Sequence, residues 1–351
     1  MIDLWAASQA EGRGMTSKLN RACVRLSKSL YPFLLRVSIF AFTSLLSASC
    51  PLMAEKTAIE NFNKRCQEAT VVPKKKECLT LSQSRQYVLD LINTERKQRH
   101  MQCVTLDTLA TKVGQAHAEN MARFGFCAHW DTHGTKPWQR YSDATGKYQV
   151  GENCSLMNAD KPLSQPPSFF PRAINLIQNT FTEEKPPNDG HLQQMLDPAH
   201  NRVGIGIAYF QDVENHSRLA LTEEFIDDYG VFDPVPKIMH KGQTLTASGE
   251  LQLKVELYAI ELRQEELPHS LSVKELNKTS HCAPPDLDHI ICVKWPRAED
   301  QHLTKNHGLK FHYQIRTEEN WPSGLYYLII TAKLPNSVQP HFISIQTFRL
   351  D

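Results

Sequence analysis

The sequence lacks an excess of charge of either sign. Its 351 residues carry 39 Lys and Arg against 38 Asp and Glu, a formal net charge of +1. That balance removes the overall electrostatic basis for binding nucleic acid. No stretch supplies the roughly 20 consecutive apolar residues that a membrane-spanning helix needs. At 41% hydrophobic and 22% charged residues, the chain also falls outside the compositions that stay disordered. Several chemical signatures are missing too. There is no C-x-x-C pair, no H-E-x-x-H and no G-x-S-x-G, which removes the usual marks of a zinc knuckle, a metalloprotease and a serine hydrolase. What remains is an ordinary foldable chain of about two domains' length.

The first 54 residues do not read as part of a domain. Lys18, Arg21, Arg25, Lys28 and Arg36 form a basic run without acids, and residues 37–54 carry no charge at all. Within that run VSIFAFTSLL has the length of a signal-peptide core, and the small residues Ser47, Ala48 and Ser49 follow it. We therefore expect export, with the mature chain starting between Cys50 and Glu55. Met15 is an alternative start. LSASC resembles a weak lipobox, which makes Cys50 a candidate for a lipid anchor. The expected location is secreted or extracytoplasmic, in the periplasm or envelope.

Export makes disulfides the default reading of the cysteines. Cys66 with Cys78, and Cys282 with Cys292, are close in sequence and read as local staples. Among Cys103, Cys127 and Cys154 a single pair would leave one thiol over.

Beyond a lead-in over residues 55–80, the spacing predicts a helix over 84–99 with Ser84 as cap, and a second over 106–124. Asp107 and Thr108 are its capping candidates. Residues 125–163 are rich in His, Trp, Gly and Asp and have little periodicity, so they read as functional loop. A helix over 171–181, a helical turn over 191–195 and paired strands over 203–210 and 219–226 complete an αβα-layered domain spanning 81–234. After Pro234 the period changes to two. LQLKVELYAI, HIICVKW, LKFHYQI, GLYYLIITAKL and HFISIQTFRL alternate as half-buried strands do, and predict a small all-β sandwich over 237–351. The fold class is α+β.

Three passages carry polar residues suited to a site. FCAHWDTHG supplies His129, Asp131 and His133, VGENC supplies Glu152, and NDGHLQQMLDP supplies His191. Imidazole and carboxylate are donors suited to a divalent metal such as zinc. Spacing alone does not bring them together, and scattered surface histidines are the alternative. The passages resemble, in order, the motifs of the CAP superfamily of cysteine-rich secretory proteins, antigen 5 and pathogenesis-related proteins, nearest its bacterial secreted branch. VLDLINTERKQR resembles the family's first helix, with Asn93 and Arg96 in an Asn-x-x-Arg signature. AHWDTHGTKPWQRY, GEN and DGHLQQMLDPAHNRVGIGIAYF resemble the three motifs that follow.

The resemblance covers roughly residues 84–228. It implies an αβα sandwich whose cleft holds two His and two acidic residues, some members binding zinc there. His129, Glu152 and His191 match three of those positions. Thr180 stands at the fourth, with Glu183 or Glu184 one turn later as substitutes. On this reading Asp131 is a turn residue, His133 faces solvent, and Trp130, Trp138 and Tyr141 cover the cleft floor.

Because no nucleophile has a supporting context, catalysis is not the leading reading. We expect an exported binding module whose His/Glu cleft takes a divalent metal, lipid or small ligand, with the sandwich meeting an envelope or surface component and no nucleic acid. A metal-assisted hydrolase using the same cleft and a purely structural envelope protein remain open.

Overall fold

The computed structural model describes residues 79–159, 171–212, 216–279, 282–304, 308–335 and 337–351. The leader, Cys50, nearly all of the lead-in and the Cys66/Cys78 pair lie outside them. The described residues belong to one compact unit, Arg65–Asp351.

The first layer holds α1 (Leu81–Gln98), whose cap is Thr80 in a capping box with Gln83. Ser84, the cap expected from sequence, is buried one turn inside the helix and donates to the Thr80 carbonyl. A short strand, β1 (Thr105–Leu106), leads into α2 (Thr108–Phe124). Here Asp107 is the cap, accepting from the Ala110 amide at 2.8 Å. The helix stops at Gly125, whose φ of 77° only glycine adopts without strain. There follow α3 (Pro137–Asp143), β2 (Gln149–Ala159), α4 (Pro171–Thr182), α5 (Gly190–Met195), β3 (Arg202–Gln211) and β4 (Ser217–Asp227).

The sheet of this half runs β1-β3-β4-β2, with β1 parallel to β3 and the other pairs antiparallel. Alternation along β3 explains the layering. Val203, Ile205 and Ile207 point to one face, where they meet Val88 and Ile92 of α1 and Ile174 and Ile177 of α4. Gly204 and Gly206 point to the other face and let α2 lie directly on the sheet. A Cβ on Gly206 would stand 2.2 Å from the Gly114 carbonyl oxygen.

The C-terminal half forms two sheets. One runs β10-β11-β7-β5 and the other β6-β13-β12-β8-β9. The strands are β5 (Gly230–Phe232), β6 (Ile238–Met239), β7 (Thr244–Leu251), β8 (Glu256–Glu265), β9 (Ile290–Lys294), β10 (Gln301–Leu303), β11 (Leu309–Arg316), β12 (Gly324–Lys333) and β13 (Pro340–Leu350). Between β8 and β9 sits the single-turn helix α6 (Val273–Leu276). Inward residues of both sheets, among them Leu245, Phe311, Leu262, Tyr326 and Phe348, close one core. The segment LQLKVELYAI contains a turn after Leu251 and splits between β7 and β8.

The outer face of the second sheet does not meet solvent alone. Leu325, Tyr327, Ile329 and Ile345 pack with Trp138, Tyr141, Val150 and Ile226 of the first half. Trp138 and Tyr141 therefore sit in this joint core and not on the cleft floor. Ser142 reinforces the joint by accepting the Thr347 amide at 2.9 Å. Cys282 keeps its thiol and packs against this joint core, whereas Cys292 packs against the sandwich core. The expected Cys282–Cys292 bridge is thus absent, because nearness in sequence does not aim two side chains at each other. Cys103 is disulfide-bonded.

Candidate functional site

After Gly125 turns the chain out of α2, a loop carries His129 back across the end of β2. Asp131 holds this loop, accepting the amides of His133 at 2.8 Å and Thr135 at 3.0 Å. His133 itself is exposed. Both features match the sequence expectation.

Glu152 lies on β2 beneath His129, its side chain almost fully buried. One carboxylate oxygen is 2.9 Å from His129 Nδ1, and the other accepts from Arg140 Nη2 at 2.5 Å. Arg140 also donates to the carbonyls of His129 and Thr135, at 2.6 and 3.0 Å. One guanidinium thus fixes the carboxylate and the loop that presents the imidazole. Burial alone would raise the Glu152 carboxyl; Arg140, with His117 and His129, holds it well below the usual carboxylate range. His117, buried on α2, is neutral near pH 7. Burial and the nearby Arg140 charge lower it to about 4.

Glu224 faces Glu152 directly across the β2–β4 ladder. Burial and that facing carboxylate push its acid group well above the ordinary value. Its Oε1 lies 4.0 Å from Arg140 Nη2.

His191 opens α5. Its Nδ1 lies 2.5 Å from Glu184 Oε1, and its amide donates to the other Glu184 oxygen at 2.9 Å. The ring stacks on Phe181 with centroids 4.5 Å apart. The Asn-x-x-Arg signature explains why α5 sits where it does. Asn93 bonds both backbone groups of Val104, and Arg96, fully buried, donates to the carbonyls of Gln102, Met195, Asp197 and His200. Buried Arg96 thereby ties α1 to the end of α5. From beneath, the Asn153 amide donates to the His191 carbonyl at 3.0 Å and to Glu223 at 3.1 Å.

His129 and His191 line the same cavity of about 380 Å³, together with Thr180, Glu184, Cys127, Cys154 and Thr279. Glu184 is thus the acid beside His191, while Thr180 turns its hydroxyl to the Ile177 carbonyl. Among the described residues, His129, Glu152 and Cys154 are the group whose donor atoms all lie within 4.8 Å of one another. His191 shares the cavity but not that group. Sequence reading passed over Cys154, Arg140, His117 and Glu224. Two of these carried a signal: strand alternation puts residues 152 and 154 on one face, and helical spacing puts His117 among Val113, Gly114 and Met121.

An αβα-layered domain with a paired His/carboxylate cavity, extended by a β-sandwich, is the class that fold and site define. Residues 89–222 match the model of the CAP, cysteine-rich secretory protein, family, and the chain carries a CAP domain. Solved structures similar to it include an extracellular protein containing an SCP domain from Bacillus anthracis, at 19% identity and a TM-score of 0.32. That match covers 43% of this chain and 45% of that one, so this chain spans less than half of that protein. An outer surface protein of Borrelia burgdorferi matches at 14% identity and a TM-score of 0.31, over 43% of this chain and 98% of the other. The CAP domain of enterococcal PrgA matches at 16% identity and a TM-score of 0.28, over 51% and 78%. No curated protein matches the chain by sequence.

Proposed function

We propose that the protein is an exported binding module whose CAP cavity takes a small ligand, with a divalent metal as the ligand its donors suit. The observation that carries this reading is that His129 and His191, each held through Nδ1 by a carboxylate (Glu152 and Glu184), line one open cavity. Imidazole nitrogen and carboxylate oxygen are borderline-to-hard donors that zinc accepts in sites with an open position. The donor set fits such an ion. Glu152 is kept ionised by Arg140, and His129 is part-exposed at the cavity. His129 and His191 would hold the metal from the cavity wall, with Glu152 and Glu184 orienting them through Nδ1.

The basic leader and its uncharged apolar run support export, with Cys50 as the residue a lipid would modify. Among the described residues no helix is long and apolar enough to cross a membrane. The β-sandwich, which buries one face on the CAP domain, would meet an envelope or surface component through its other faces. Metal analysis and lipid extraction of natively purified protein test the reading together. Stoichiometric zinc or a co-purifying small molecule supports it, and a protein with neither that also binds no added zinc overturns it.

A further inference from the structure

Cys127 and Cys154 sit on the wall of the cavity that the proposed binding function uses. They come from different elements, the loop after α2 and strand β2, and meet on one wall of the cavity. Cys127 Sγ also lies 3.7 Å from the Cys154 carbonyl oxygen, and Cys154 Sγ lies 4.0 Å from His129 Nδ1. Both keep their thiols. Their surroundings differ sharply. Cys127 is exposed at the cavity rim, where its backbone amide donates to Asn277 at 3.4 Å, whereas Cys154 is buried among Ala118, Ala128 and Ala220.

We propose that Cys127 and Cys154 form a reversible dithiol–disulfide couple on the cavity wall, oxidised by exchange with a disulfide of another molecule. Access sets the order of events, since exchange requires attack on a reachable sulfur. The Cys127 thiolate attacks one sulfur of the donor RSSR, its S–S bond breaks, and the departing RS⁻ takes up the proton Cys127 released. Cys154, giving its proton to the second departing RS⁻, then attacks the Cys127 sulfur of the mixed disulfide. Two electrons pass from the cysteine pair to the donor, which leaves as two RSH. The cavity gives the donor access to Cys127, and the buried Cys154 resolves the mixed disulfide without needing access of its own.

Oxidation also changes the cavity. A thiol beside His129 is replaced by a disulfide sulfur, leaving imidazoles and carboxylates as the metal donors. The redox state of this pair therefore selects between a sulfur-containing donor set and an N/O set.

The test uses full-length protein, reduced and then equilibrated with excess glutathione disulfide, with peptide mapping by mass spectrometry under non-reducing conditions. The expected result is one linked peptide pair carrying Cys127 and Cys154, which disappears when dithiothreitol is added. Cys154→Ser should trap Cys127 as a stable glutathione mixed disulfide. Cys127→Ser should leave Cys154 unmodified, with at least a tenfold lower yield of glutathionylation. If both cysteines of the wild-type protein stay alkylatable after equilibration, the proposal is overturned. It is equally overturned if Cys127→Ser captures glutathione at Cys154 as readily as Cys154→Ser does at Cys127.

Discussion

Glu223 shows how much a single buried group can impose. It is fully buried on β4 and accepts from Asn153 and Gln178. Burial raises its carboxyl to about 7, although both hydrogen bonds pull the other way. Gln178 Oε1 has no hydrogen-bond partner, so a rotated Gln178 amide can accept the proton of a neutral Glu223. The raised value fixes the sign of the pH dependence. Between its unfolded value near 4.5 and about 7 the folded protein holds a proton that the unfolded chain has lost. Stability from this group is present at low pH and is lost as pH rises through about 7, a swing on the order of 3 kcal/mol at most. Urea unfolding of Glu223→Gln should show a flatter pH profile than wild type and greater stability near pH 8 (about one unit above that value). A variant that is less stable than wild type at both ends of the range would refute this account.

At the level of elements, the glycines of β3 set the distance between sheet and helix. The alternation in VGIGIAYF was readable as a strand, and the helical spacing of α2 as a helix, because each periodicity is strong over several residues. Their mutual approach was not readable, since it depends on which face of β3 meets α2. Gly206→Ala would place a methyl carbon 2.2–2.6 Å from the Gly114 and Gln115 backbone. It should cost about 1–3 kcal/mol or more, because backbone and not a flexible side chain must yield. A thermal melt checks this, and a change in midpoint within error would contradict it. Other elements were hard to see for physical reasons. Strand β7 is built from TLTASGEL, whose small and polar residues give little alternation. Cys282 and Cys292 looked like a staple because sequence distance says nothing of side-chain direction, and the structure sends them to two different cores. In the site itself, His129, Glu152 and His191 were legible through ordered motifs. Glu184 was legible as one of two substitutes for the acid missing at Thr180, whereas the roles of Arg140 and Glu224 were not, because they arise from cross-strand register and a loop conformation that no local pattern encodes.

The described residues form two layered halves joined by apolar surface. Division near residues 234–237 remains our reading of the chain, and the joint core of Trp138, Tyr141, Val150 and Ile226 with Tyr327, Ile329 and Ile345 gives it a consequence. Limited proteolysis within 228–241 should yield two fragments that stay together on size exclusion until denatured. Two fragments that separate without denaturant would show that this apolar joint contributes little. The second half also reaches the cavity itself: Thr279 lines it, and the Leu271 amide donates to the Thr132 carbonyl in the loop that carries His129. The central claim is that His129 and His191 act together in that cavity as metal donors. Calorimetric zinc titration of wild type, His129→Ala and His191→Ala at neutral pH tests it most directly. The account predicts one zinc per chain for wild type and affinity at least tenfold weaker in each variant. No zinc binding by the wild-type protein, or binding that neither substitution weakens, would contradict it.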